Sequence, residues 1–286
     1  MSITVVVANP KGGVGKSLTT MMLADGLALT YGARVLVVDL DPQAGVTKSL
    51  LGIDAEQELR DRRIGLGAML QAFARGRDMQ LPSHATDLVE LESRESGYID
   101  VLPSNHELLG DMADFERSAH RKRRRDRLDV QLANALHAEL KKIEREYDIV
   151  LVDCPAGPGV LGLAGIRLAN HILAPTSLET NAYSTLTDFL KFILADDLDL
   201  ASHVMVHPLI TQYQSTNSIQ REMLHHIKEG LAHLNAISRP IPYTAALQNA
   251  AAHPGVGSVR TARQKYGNAM ADVVGLAKAV VERISQ

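Results

Sequence analysis

The 286-residue sequence contains a single cysteine, Cys154, and this scarcity excludes several classes of protein. One thiol cannot form an internal disulfide, and it cannot hold a cysteine-rich metal site or an iron–sulfur cluster. An excess of one charge sign is also missing, because 30 Lys and Arg residues stand against 33 Asp and Glu residues. Any contact with nucleic acid must therefore come from a local basic patch rather than from the field of the whole chain.

Long apolar runs and targeting signals are missing as well. No uncharged stretch approaches the roughly 18 residues of a membrane-spanning helix. The first residues lack the basic region and the cleavage site of a signal peptide. Hydrophobic residues make up 45% and charged residues 22% of the chain, which is typical of a folded globular protein. We therefore predict a cytoplasmic protein that does not bind membranes.

Short β-branched runs alternate with segments of helix length along most of the chain. The first strand is predicted at Ile3 to Ala8, the first helix at Ser17 to Tyr31 and the second strand at Arg34 to Val38, as in a parallel crossover. Further strands are predicted at Tyr98 to Leu102, Asp148 to Val152, His171 to Ala174, His203 to His207 and Ile237 to Ile241. This alternation predicts an α/β fold, with a doubly wound, mostly parallel sheet flanked by helices. We expect a single domain over residues 1–286.

The turn between the first strand and the first helix is rich in glycine and reads NPKGGVGKS over residues 9–17. Such a turn lets successive backbone N–H groups point at phosphate oxygens, and the following helix adds the positive end of its dipole. The pattern predicts that Lys16 contacts the β- and γ-phosphates of a nucleotide and that the Ser17 hydroxyl binds Mg²⁺. A glycine turn can also be a plain connector, but its position after a buried strand favours a nucleotide site.

This loop departs from the ordinary phosphate loop, because Pro10 stands where glycine is usual and a second lysine stands at position 11. The segment Lys11 to Ser17, KGGVGKS, resembles the signature of the deviant Walker-A ATPases of the ParA/MinD family. The resemblance implies a P-loop ATPase that uses ATP and Mg²⁺ and forms an ATP-dependent homodimer, in which Lys11 acts on the phosphates held by the second subunit. The residues that it assigns to nucleotide binding are Lys11, Gly12, Gly13, Val14, Gly15, Lys16, Ser17 and Leu18.

Two more predicted strands end in aspartates that extend the resemblance. The segment DLDPQ over residues 39–43 is similar to a family segment whose second aspartate, Asp41 here, is associated with the attacking water. Asp153 resembles the Walker-B aspartate that holds Mg²⁺ through water. The resemblance thus implies Lys11, Lys16 and Asp41 as catalytic residues and Ser17, Asp39 and Asp153 as metal-site residues. A lone aspartate of this kind usually caps a helix or a turn, but two beside a glycine loop favour the ATPase interpretation.

The position of the phosphate-loop lysine, Lys16, favours a small ParA-like protein without an N-terminal helix-turn-helix. The resemblance implies that the ATP-bound dimer binds DNA without sequence preference, through cations that contact phosphates. No Asp or Glu occurs from residue 230 to residue 271. We place the DNA contacts on the cations of this stretch, which are Arg239, Arg260, Arg263 and Lys265. A second basic run at Arg121 to Arg127 is an alternative, and either run can simply be a solvated face.

Together these features predict a ParA-like partition ATPase at the nucleoid. A ParB-like or other adaptor bound to the cargo is expected to stimulate hydrolysis, and the sequence does not identify the cargo. A MinD-like membrane-associated positioning ATPase is an alternative, although the helix predicted at Asn268 to Ile284 has a mixed rather than basic polar face. A ligase or synthetase with the same phosphate loop is another, because that loop does not fix the second substrate.

Overall fold

A computed structural model of the chain describes most of the sequence. The described residues are 2–52, 65–74, 85–86, 97–104, 108, 110, 112–113, 127–157, 159–179, 181–194, 200, 204–230, 236–252 and 261–285. Their strands are β1 Ile3–Val7, β2 Arg34–Asp39, β3 Ala85–Thr86, β4 Tyr98–Leu102, β5 Ile149–Asp153, β6 His171–Ser177 and β7 Met205–Thr211.

Helices connect these strands and cover both faces of the sheet. In chain order they are α1 Lys16–Tyr31, α2 Gly45–Leu51, α3 Leu66–Ala74, α4 Leu128–Lys142, α5 Val160–Arg167, α6 Ala182–Ile193, α7 Ser218–Gly230, α8 Ala245–Ala252, α9 Ala262–Tyr266 and α10 Met270–Ile284. A short 3₁₀ turn, Gly267–Ala269, joins α9 to α10. Within the described ranges, no helix is both long and apolar enough to cross a membrane.

The strands form one sheet in the order β3-β4-β2-β5-β1-β6-β7. All neighbouring pairs are parallel except β3 and β4, which pair antiparallel at the edge. β1 lies between β5 and β6, so the chain winds outward from β1 in both directions. The predicted doubly wound, mostly parallel sheet is therefore confirmed, and ligands of such sheets bind where the order reverses, at the carboxyl ends of the strands.

The strands are buried on both faces, which explains their continuous apolar sequences. In β1, Val6 faces a core that includes residues of α4, α5 and α6, whereas Val5 and Val7 face the core that includes α1 and α10. The second core holds α1 very closely against α10. A Cβ atom built at Gly26 would lie 2.8 Å from the carbonyl oxygen of Val273, so only glycine permits this approach. The helix that follows the phosphate loop is thereby fixed to the rest of the fold.

One predicted strand was wrong, and two others ended several residues too early. β6 was predicted to end at Ala174 but continues to Ser177. Residues 237–241 form no strand in the structure. They run beside β7 with Ile237 N donating to Pro208 O and Ile241 N donating to Ile210 O, and Pro240 between them has no N–H to continue a ladder. β7 was predicted to end at His207 but continues to Thr211. The added residues reach the phosphate loop, as described below.

Candidate nucleotide site

The glycine-rich loop joins the carboxyl end of β1 to the first turn of α1. β5 and β6 flank β1, so the loop lies between the ends of these two strands. Gly13 and Gly15 have φ angles of +75° and +87°, in the left-handed region that glycine enters without steric cost. The backbone therefore turns sharply here, because glycine permits the left-handed conformation that other residues disfavour.

Four carbonyl oxygens of residues 10–14 in this loop accept hydrogen bonds, whereas the N–H groups of Gly12 to Lys16 have no acceptor among the described residues. The bonds to the carbonyls are Gly157 N to Pro10 O at 3.0 Å, Lys16 Nζ to Lys11 O at 3.0 Å, Gln212 Nε2 to Gly13 O at 2.6 Å and Thr211 Oγ1 to Val14 O at 2.7 Å. A run of unused donors at the amino terminus of a helix is the arrangement that binds phosphate.

Lys16 is the first residue of α1 and is only 7% exposed. Burial lowers the pKa of its ammonium group, and the carboxylates of Asp153 and Asp41 oppose that shift. Its Nζ donates to the carbonyl of Lys11 across the loop. This neutral carbonyl is its hydrogen-bond partner among the described residues, and a buried cation so placed gains from an added anion. The loop therefore offers a charge as well as N–H donors to a phosphate group.

Asp153 lies at the end of β5, fully buried, and holds two hydroxyl groups of α1. Its Oδ2 accepts from Ser17 Oγ at 2.8 Å and its Oδ1 from Thr20 Oγ1 at 2.9 Å. Burial and then the nearby carboxylate of Asp39 raise the pKa of Asp153. Since a bound cation would relieve this charge crowding, the predicted partners Ser17 and Asp153 are placed together where a metal ion would be stabilised.

The donors at this point fit Mg²⁺ in chemistry and in number. A hydroxyl and carboxylates are the oxygen ligands that Mg²⁺ prefers, and it usually binds through one or two protein groups, nucleotide phosphates and waters. Within the described part of the chain, no group of three or more His, Cys, Asp or Glu residues is arranged to hold a metal by itself. The site therefore suits a metal ion that arrives with a nucleotide.

Asp39 pairs in register with Asp153 across β2 and β5, but its oxygens already have protein donors. Oδ2 accepts from Thr47 N at 2.9 Å and Thr47 Oγ1 at 2.7 Å, and Oδ1 accepts from Asp41 N at 3.0 Å. Burial raises the pKa of Asp39 to about 6, and these hydrogen bonds oppose the shift. In this structure Asp39 orients the turn that carries Asp41 and fixes α2 through Thr47.

Asp41 lies in that turn, half-buried, and shapes it. Its Oδ1 accepts from Gln43 N at 2.9 Å and its carbonyl from Ala44 N at 2.8 Å. α2 then begins at Gly45, where a built Cβ would lie 3.1 Å from Ser17 Oγ. The turn carrying Asp41 is thus adjacent to the Ser17 hydroxyl, and the role of Asp41 beside an attacking water stays a prediction.

The second lysine of the loop, Lys11, is paired with a carboxylate outside the loop. Its Nζ forms an ion pair with Glu179, which follows β6, and the two side chains are 37% and 60% exposed. The hydrogen bond from Lys11 and its charge lower the pKa of Glu179. The pair borders a surface groove of about 560 Å³ whose lining also includes Leu178, Asn181, Asn217, Ile219, Gln220 and Met223. In the single chain, Lys11 is therefore held at the surface by a carboxylate.

Sequence reasoning missed five residues of this site: Thr20, Thr47, Glu179, Thr211 and Gln212. Thr20 lies one helical turn after Lys16, which places it on the same face of α1 and was a usable signal. The others come from remote parts of the chain, and no spacing in the sequence links them to the loop.

Two of the four predicted DNA-contacting cations form ion pairs within the chain, and one of the two is buried. Lys265 was predicted to contact DNA, but its side chain is 4% exposed and its Nζ lies 2.8 Å from Oδ2 of buried Asp25. The prediction for Lys265 is corrected, because a side chain sealed inside the protein cannot reach a DNA phosphate. Arg239 forms an ion pair with Asp272 at 3.0 Å and lies so close to Gly275 that any Cβ there would overlap its guanidinium.

The other two predicted cations are Arg260 and Arg263. Arg263 is exposed on α9, so its placement permits a contact with DNA. Arg260 lies outside the described residues, as does the alternative basic run except Arg127. The acid-free stretch was misleading because the acids that pair with its cations come from α1 and α10, outside the stretch or one residue beyond its end.

The parallel sheet, the loop of unused N–H donors at the start of α1, and the hydroxyl–aspartate pair beside it define a P-loop nucleoside triphosphatase. Residues 2–206 match the family model AAA_31, described as an AAA domain. The chain belongs to this family and is a ParA-like P-loop ATPase of the ParA/MinD group, as its signature segment predicted.

Individual relatives agree with this placement. The chain is 28% identical over 230 residues to the chromosome partitioning protein ParA of Myxococcus xanthus, covering 78% of this chain and 70% of the relative. A solved structure of cobyrinic acid a,c-diamide synthase from Mycobacterium smegmatis with bound ADP and magnesium has a TM-score of 0.64 at 26% identity, covering 88% of this chain and 91% of that one. The structure of pNOB8 ParA bound to nonspecific DNA has a TM-score of 0.70 at 17% identity, covering 100% and 99%, and shows likeness of fold.

Proposed function

We propose that this protein is a partition ATPase. It binds ATP with Mg²⁺, closes into a homodimer around the nucleotide and binds DNA without sequence preference while dimeric. An adaptor protein bound to the cargo stimulates hydrolysis, and the dimer then separates and leaves the nucleoid. The observation that carries the proposal is a second lysine, Lys11, beside a phosphate loop whose own lysine is already in place.

The residues of the loop account for nucleotide binding. The unused N–H groups of Gly12 to Lys16 bind phosphate oxygens, and the Lys16 ammonium supplies the matching charge. Ser17 and Asp153 hold Mg²⁺, which when bound neutralises charge on the phosphates. Asp41, on the adjacent turn, orients the water that attacks the γ-phosphate. Each of these groups stabilises charge or position rather than forming a covalent bond, as phosphoryl transfer requires.

Lys11 completes the site of the opposite subunit. Its present partner, Glu179, is an exposed carboxylate, and an exposed ion pair contributes little stability. A triphosphate carries more charge than one carboxylate, and a dimer interface excludes the water that screens the contact. Lys11 therefore exchanges Glu179 for the phosphates of the partner when ATP brings two chains together, which makes ATP the ligand that holds the dimer.

The test is the size of the protein with and without ATP, measured by light scattering. The wild type is expected to be monomeric without nucleotide and dimeric with Mg·ATP. Lys11→Ala is expected to bind ATP with similar affinity but to remain monomeric. Lys191→Ala is the matched control, because Lys191 is 80% exposed on α6 and pairs with Asp188 at 4.0 Å. A Lys11→Ala protein that dimerises as the wild type does would remove the role in trans.

Retention on DNA tests the next step of the cycle. The ATP-loaded dimer is expected to bind random-sequence DNA at low salt and to lose affinity as salt rises, because the contacts are to phosphates. An ATP-loaded dimer that ignores DNA at low salt contradicts the partition proposal, while leaving ATP binding intact.

A second candidate function is a ligase that uses ATP to activate a carboxylic acid. The observation in its favour is the 26% identity to cobyrinic acid a,c-diamide synthase over 88% of this chain. A ligase hydrolyses ATP when a carboxylic acid and a nitrogen donor are supplied, and DNA has no effect on its rate. A partition ATPase turns over slowly and accelerates with DNA and an adaptor, so the two are separated by one set of ATPase assays.

A further inference from the structure

We propose that Gln212 and Thr211, at the end of β7, are positioning residues that set the phosphate loop in its binding conformation. The inference rests on the proposed binding of ATP, but it does not depend on dimerisation or on DNA. Neither residue belongs to the loop or to the metal site, and β7 was not predicted to reach this point.

The two residues fasten successive carbonyl groups of the loop from outside. Gln212 Nε2 donates to Gly13 O at 2.6 Å, and Thr211 Oγ1 donates to Val14 O at 2.7 Å. A peptide unit is planar and trans, so its C=O and the next residue's N–H point in opposite directions. Fixing the carbonyl of Gly13 outward therefore fixes the N–H of Val14 inward. In the same way, the bond from Thr211 directs the N–H of Gly15.

The backbone at Gln212 indicates that this contact is constrained. Its φ angle is +55°, in the left-handed region that residues with a Cβ rarely occupy, and such conformations persist only where the surroundings impose them. On one side, Thr211 is bound to the loop. On the other, Tyr213 N donates to Ile241 O and Tyr243 N donates to Tyr213 O, both at 3.0 Å. Gln212 thus turns between two anchored neighbours, and its side chain is directed onto Gly13.

Burial separates a positioning role from a purely structural one. Gln212 is half-buried, and a single hydrogen bond of this kind adds little to stability because water replaces it when it is removed. The N–H groups of Gly12 to Lys16, however, have no acceptor among the described residues, so their direction depends on what holds the carbonyls. Removal of the Gln212 side chain should therefore affect phosphate binding more than folding.

The experiment compares Gln212→Ala and Gln212→Gly with the control Gln214→Ala, which removes an exposed glutamine two residues later. Dissociation constants for ATP and for ADP are measured by titration calorimetry, with melting temperatures in the absence of nucleotide. We expect both Gln212 variants to bind either nucleotide about tenfold more weakly. The control should bind as the wild type does. In steady-state assays KM for ATP should rise while kcat stays near the wild-type value. The reason is that the hydrogen bond from Gln212 stabilises bound ATP and the transition state equally.

The glycine variant distinguishes the side chain from the backbone strain. It relieves the unfavourable φ angle and is expected to melt no lower than the alanine variant, yet to lose affinity to the same extent. Two variants of the neighbouring Thr211 test the hydroxyl group in the same way. Thr211→Val removes the hydroxyl donor, and Thr211→Ser retains it. Thr211→Ser should keep most of the nucleotide affinity that Thr211→Val loses.

The outcomes separate this inference from the proposed function. If the wild type binds no nucleotide, the proposed function fails. If the wild type binds ATP and both Gln212 variants bind it equally well, ATP binding stands and the positioning role is wrong. If affinity falls only in those variants that also melt at lower temperature without nucleotide, the two residues serve folding alone, and the inference is likewise overturned.

Discussion

The phosphate loop and the acid-free stretch that contains Arg239, Arg263 and Lys265 were both predicted from short patterns, and the structure treats them differently. The loop keeps its predicted neighbours, because Ser17 and Asp153 meet at 2.8 Å and Lys16 lies across the loop. The cations of the acid-free stretch do not form one basic surface, because Lys265 is buried in an ion pair with Asp25 and Arg239 is paired with Asp272. Backbone geometry set by adjacent glycines is local, whereas the availability of a charge depends on every residue that folds against it.

The largest expected effect is at Lys265, where it tests whether the side chain stabilises the fold rather than binding DNA. Lys265→Met keeps the volume but leaves the carboxylate of Asp25 buried without its cation, so we expect the free energy of unfolding to fall by about 3–5 kcal/mol. The measurement is chemical denaturation without nucleotide. The double variant Asp25→Asn, Lys265→Met is the control and should recover most of the loss, since no uncompensated charge remains.

DNA retention by the folded Lys265→Met protein completes that test. We expect it to equal wild-type retention at the same ATP concentration. A variant that is as stable as the wild type but has lost DNA binding would show that Lys265 contacts DNA. It would contradict the contrast between the phosphate loop and the acid-free stretch.

The next effect concerns the loop. Lys16→Ala removes the buried ammonium group that we propose contacts the phosphates, and a hydrogen bond to a charged group of this kind corresponds to roughly 100-fold in affinity. Titration calorimetry with ATP and Mg²⁺ measures the loss, and Lys191→Ala is again the control. Lys16→Ala should keep the fold, because the backbone of the loop is held by Gly157, Thr211 and Gln212. Unchanged affinity would mean that the nucleotide binds elsewhere.

The smallest effect is expected at Arg263, an exposed cation of the stretch. Arg263→Ala should weaken DNA binding by the ATP-loaded dimer. The slope of log K against log salt should fall by about 0.9 for one lost phosphate contact. Arg263→Lys keeps the charge and is the control. If the slopes of the two variants are equal to that of the wild type, DNA is bound by another surface.

The parts of the site that could be predicted are those in which one short segment carries its own geometry. The segment from Lys11 to Ser17 defines the loop, and the positions of Asp39 and Asp153 after buried strands place both at the same edge of a parallel sheet. The hydrogen bonds of Asp39 to Thr47 and the ion pair of Lys11 with Glu179 could not be predicted. Thr47 and Glu179 are brought close to their partners by the order of the strands in the sheet, and no sequence pattern predicts that order. The assignment of one domain to residues 1–286 stays a prediction.

The sequence alone determined the α/β class, the phosphate loop and the family, because alternating buried strands and a glycine-rich turn act through the backbone over a few residues. The tertiary structure decided which charges remain available and what holds the loop open toward a ligand. Asp25 sequesters Lys265 from 240 residues away, and Gln212 reaches Gly13 across 199 residues. Contacts over such separations follow from packing of the whole sheet and its helices, and no local pattern specifies them.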